Sequence, residues 1–74
     1  MSAQDDLVTA RQDDWRALEA LVSFTKHTHK RPPHEIAEIA GLYRSVCSDL
    51  MRARALGCQL DLIAHLDGLT ARAH

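Results

Sequence analysis

The sequence predicts an all-α fold: an antiparallel three-helix bundle, or a helical hairpin with a third helix added, with apolar surface left for self-association. Three observations carry that expectation. Apolar residues recur at steps of three and four through three successive segments, the spacing that gathers them on one face of a helix. Pro32-Pro33 and Gly57 fall between those segments, where a helix has to stop. No stretch of useful length alternates apolar and polar residues with the period of two that a half-buried strand needs.

The first helix is expected over about residues 3–26. Ser2 followed by Asp5 resembles a capping box with aspartate in place of the usual glutamate. Asp5 and Asp6 place negative charge in the first turn, where the helix dipole favours it. Leu7, Trp15, Leu18, Val22 and Thr25 form the apolar stripe, widened by Leu21 and Phe24. Weaker helix formers from Thr25 to Thr28 predict fraying there. Residues Lys26 to Pro33 make a linker, and the second helix is expected over about 33–56, with Pro33 suited to a first helical position. Its pattern is the cleanest in the chain: Ile36, Ile39, Tyr43, Val46, Leu50 and Ala53 alternate steps of three and four, an a/d seam. Gly57 is the natural left-handed residue after its end. The third helix, about 59–73, carries Leu62, Ile63, Leu66, Leu69 and Ala73. The short glycine turn makes the second and third helices neighbours, and residues 1–74 read as a single helical domain.

Composition narrows the function. A chain of 74 residues buries only about 60% of its unfolded surface, so a lone bundle is marginal. A hydrophobic fraction of 46% is high for this length and predicts apolar area left for a second subunit. Nine basic against ten acidic residues, net −1, argue against nucleic acid as a partner, as does a short basic stretch (Lys26 to His34) without interleaved aromatics. No apolar run reaches the ~18 residues of a membrane span. The acidic start Asp5-Asp6 lacks the layout of a signal peptide, so the chain is expected to be cytoplasmic, with Cys47 and Cys58 as thiols.

Three stretches resemble the cytoplasmic N-terminal region of the stage II sporulation protein M family. They are Asp14-Trp15-Arg16-Ala17-Leu18-Glu19-Ala20-Leu21; Leu42-Tyr43-Arg44-Ser45-Val46-Cys47-Ser48-Asp49-Leu50 with Ala53-Arg54; and Leu66-Asp67-Gly68-Leu69 through Ala71-Arg72-Ala73-His74. Their order and spacing agree with the family along nearly the whole chain. The chain departs from the family in lacking its membrane spans, in having Arg31-Pro32 where a serine or threonine cap is usual, and in Asp67 where asparagine is common. Members in sporulating bacteria act in septal peptidoglycan remodelling as a membrane partner of the hydrolase. The resemblance implies a helical fold and a protein–protein role. It extends to a membrane protein complex reached through a partner at the inner face of the membrane.

The residues expected to carry an interface or core are Trp15, Leu18, Val22, Ile36, Ile39, Tyr43, Val46, Leu50, Leu62, Leu66 and Leu69. Trp15 reads equally well as the anchor between the first two helices and as an interface hot spot. Asp14, Arg44, Asp49 and Arg54 are expected to set register, with Arg44 and Arg54 pairing with Asp49 or Asp14. A buried Tyr43 hydroxyl would need an acceptor such as Asp14 or Glu19. His27, His29 and His34, with Cys58 and His65, raise a second reading, a small metal- or redox-responsive protein. Against it, the histidines are not spaced to present two ligands on one helix face, and solvated linker histidines account for the same letters. Cys47 and Cys58 fit small core residues. No nucleophile–base pair, Glu-x-x-His arrangement or glycine-rich loop is present, so no enzyme and no cofactor are expected.

Overall fold

The computed structural model describes residues 2–24 and 32–73. Three helices follow in order, α1 (Ala3–Phe24), α2 (Pro33–Leu56) and α3 (Leu60–Ala73), and no strand occurs among the described residues. The frayed end expected at Thr25 to Thr28, the linker residues up to Arg31 and the stripe residue Thr25 lie outside the described residues, as does the side chain of Phe24.

The starts of all three helices and the end of α2 each have a local chemical reason. At the start of α1 the Ser2 hydroxyl accepts the Asp5 N–H at 3.1 Å, and the Ser2 carbonyl accepts the Asp6 N–H at 3.1 Å. The first bond satisfies one of the four donors that a helix leaves unpaired, and the second is the first bond of the helix ladder. At the start of α2, Pro32 stands in the cap position with φ −59° and ψ 145° and offers no side-chain acceptor. Pro33 follows at the first helical position, where its missing N–H costs nothing, and the Pro32 carbonyl accepts the Glu35 and Ile36 N–H groups.

Helix α2 ends in a Schellman motif. Gly57 takes φ 68° and ψ 38°, its N–H donates to the Arg54 carbonyl at 3.2 Å, and the Cys58 N–H donates to the Ala53 carbonyl at 3.0 Å. Cys58, the residue past the glycine, is buried in the same cluster as Ala53, which is the apolar contact that accompanies this motif. The Gln59 carbonyl then accepts the Leu62 and Ile63 N–H groups, so α3 starts at Leu60.

All three helix pairs pack against one another. The Gln59 N–H donates to Gln4 Oε1 at 2.7 Å, and Arg72 lies 4.0 Å from Glu19. These two ties, one near each end, show that α1 and α3 run parallel. Helix α2 runs antiparallel to both, because its last residues turn directly into α3. The core gathers Leu7, Trp15, Leu18 and Val22 from α1, Val46, Leu50 and Ala53 from α2, Cys58 from the turn, and Leu66 and Leu69 from α3. Leu18, Val46, Leu66 and Leu69 are wholly shielded from solvent. Burial of each is worth roughly 1.5–3 kcal/mol.

The seam of α2 is buried only along its second half. Val46, Leu50 and Ala53 are buried, Ile39 and Tyr43 are half-buried, and Ile36 is 55% exposed. Length explains the gradient. Helix α2 rises about 36 Å over 24 residues, whereas α3 rises only about 21 Å over 14. Folding back from Gly57, α3 covers α2 to about residue 43 and leaves Ile36 beyond its reach.

Two glycines give opposite expectations. A Cβ at Gly57 would meet no atom within 4 Å, so Gly57→Ala bears only the left-handed backbone penalty of about 1–2 kcal/mol. Gly41 lies inside α2 with ordinary helical φ and equally open space, so Gly41→Ala should stabilise by roughly 0.5–1 kcal/mol. Thermal melts followed by circular dichroism should move down by several degrees for the first and up for the second. Equal shifts would refute the assigned turn.

Candidate functional site

Among the described residues, a node of side-chain hydrogen bonds joins α1 and α2. On α1, Arg11, Asp14 and Trp15 are three and four residues apart, so one face of the helix presents all three. On α2, Asp49 falls between Val46 and Ala53 on the buried face and is only 7% exposed. A carboxylate so far from water needs donors around it. Arg11 Nε donates to Asp49 Oδ1 at 3.2 Å and Oδ2 at 3.0 Å, and Trp15 Nε1 donates to Oδ2 at 2.8 Å. Arg11 Nη1 donates to Asp14 Oδ2 at 2.7 Å.

The electrostatics favour the charged form of Arg11. The hydrogen bond with Asp49 holds the Arg11 guanidinium above its already high ordinary pKa, with desolvation opposing and the charges of Asp49 and Asp14 adding to the rise. Arg11 Nη2 is buried without a hydrogen-bond partner among the described residues, which offsets part of what the bonds contribute. Both oxygens of Asp49 accept donors from α1, an arrangement that ties the two helices together.

The register residues expected from the sequence divide. Asp14 and Asp49 meet in this node, whereas Arg44 and Arg54 do not reach it. Arg44 is exposed, and Arg54 lies 3.9 Å from Asp67 on α3, both side chains being more than half exposed. Such a pair contributes at most about 1 kcal/mol. Arg44 and Arg54 each stand five residues from Asp49, which on a helix turns a side chain through about 140°, away from the buried face. The cation that Asp49 takes comes instead from the opposite helix. Arg11 had a readable signal: it fills the empty step of the stripe Leu7, Arg11, Trp15, Leu18, Val22, a charge at a position where the pattern calls for an apolar residue. The bond from Gln59 to Gln4 had none, because it joins a turn to a helix start 55 residues away.

Tyr43 also finds a different neighbour from Asp14 or Glu19. Its phenol pairs with the Cys47 thiol one turn along α2, and that hydrogen bond, joined by the charge of Cys47 and slight desolvation, holds the phenol above the ordinary tyrosine pKa. Of the expected apolar residues, Trp15, Leu18, Val22, Val46, Leu50, Leu66 and Leu69 are buried, while Leu62 and Ile39 pack at the edge of the core. Cys58 is buried and Cys47 half-buried, both as free thiols. His34 and His65 are exposed, and His27 and His29 lie outside the described residues. Among the described residues no group of three or more His, Cys, Asp or Glu side chains is placed to hold a metal ion.

Two open grooves flank the node. One, of about 330 Å³, runs between α1 and the end of α2, lined by Leu7, Arg11, Arg52 and Leu56 among others. The other, of about 240 Å³, lies between α1 and α3, beside Trp15, Glu19, Leu62 and His65. No described helix is long and apolar enough to cross a membrane.

Two outcomes follow from this geometry. Asp49→Ala strands the buried face of Arg11 and removes the acceptor of Trp15, at a cost near the lower end of about 3–5 kcal/mol because Arg11 keeps some contact with water. Arg11→Met combined with Asp49→Leu removes both charges together and should cost far less, as read by urea denaturation; equal losses would refute the pairing. Because Tyr43 is the chain's only tyrosine, its titration is readable by phenolate absorbance. Cys47→Ala should lower its midpoint towards the ordinary value, and an unmoved midpoint would refute the contact.

A comparison with curated proteins and one with solved structures each give no match. A family model does match, over residues 5–74, and that span takes in all of α2 and α3, most of α1 and the whole node. The chain belongs to the family described as Domain of unknown function (DUF8413).

Proposed function

We propose that the chain is a non-catalytic helical interaction module that associates with itself, as a dimer or higher assembly, or docks to another protein. One observation carries the reading. The large apolar side chains Leu60, Met51, Ile36 and Leu56 are 80%, 70%, 55% and 45% exposed in the single chain. For a domain this small, leaving that many large side chains in water forgoes stability that a partner surface would supply. The resemblance to the stage II sporulation protein M family agrees with a protein–protein role. The residues that carry it on two helices, Asp14-Trp15 and Asp49, belong to one hydrogen-bonded node. On this reading the module works in the cytoplasm and reaches a membrane protein complex through its partner.

The test is light scattering behind size exclusion, over a range of concentrations and with or without a chelator. A mass about twice the 8.3 kDa chain, or higher, is expected, independent of chelator. Met51→Glu with Leu60→Glu should return it to the monomer mass while the helical circular dichroism stays unchanged. A monomer at every concentration would sink self-association. A mass that falls with chelator would transfer the argument to His27, His29 and His34.

A further inference from the structure

We draw no further inference here: the strongest candidate, the outward stripe of α2 that carries Ile36, Ala40, Cys47 and Met51, is an unpartnered apolar face, and nothing in the structure shows what covers it.

Discussion

Asp49 is the constraint around which the bundle is arranged. An ionised carboxylate withdrawn almost completely from water is costly unless donors replace its hydration. Helix α2 supplies none through the side chains next to it in the seam, which are Val46, Leu50 and Ala53. The donors come from α1, from the Arg11 guanidinium and the Trp15 indole, and both reach Asp49 only when α1 crosses α2 at one height. A shift of α1 by one turn would move these donors about 5.4 Å and leave the carboxylate bare. Apolar packing tolerates such slips more readily, because leucine presents much the same surface one turn on. The node therefore specifies alignment, while the leucines and valines around it supply most of the stabilisation.

The second constraint is the turn at Gly57. A two-bond motif closes α2 and reverses the chain within three residues, and the buried Cys58 anchors it to the core. Because Gln59 then hydrogen-bonds to Gln4, the same turn holds the first turn of α1. Alignment is thus set twice, by a buried charge near the middle of the bundle and by a polar tie at one end. Along these parallel helices α1 and α3, Leu18, Leu66 and Leu69 are wholly enclosed. The other end of α2, around Ile36, extends past α3 and has no comparable cover.

Helical periodicity made most of the fold legible. The Ser2 cap, Pro33 at a helix start and Gly57 beyond a helix end each act within a few residues, so sequence alone places them. The candidate node was half legible. Asp14, Trp15 and Asp49 stand out by residue type and position, but the cations that the sequence suggests for Asp49, Arg44 and Arg54, are on its own helix. The side chain that satisfies it lies 38 residues earlier and meets it only across a helix crossing. Tyr43 shows the reverse case: the acceptors that the sequence suggests, Asp14 and Glu19, are on α1, whereas the thiol that raises its pKa is Cys47, one turn away on α2.

What the sequence by itself determined is the set of three helices, the caps at Ser2, Pro33 and Gly57, and most of the face each turns inward, because propensity, capping and amphipathic period are short-range properties of the chain. Only the tertiary structure decided which cation meets Asp49, how far α3 covers α2, and that Ile36, Met51, Leu56 and Leu60 are left outside. Those outcomes depend on relative helix lengths and on the height at which helices cross. Neither can be read from one helix's pattern, since a partly filled seam and a fully filled one have the same spacing of apolar residues.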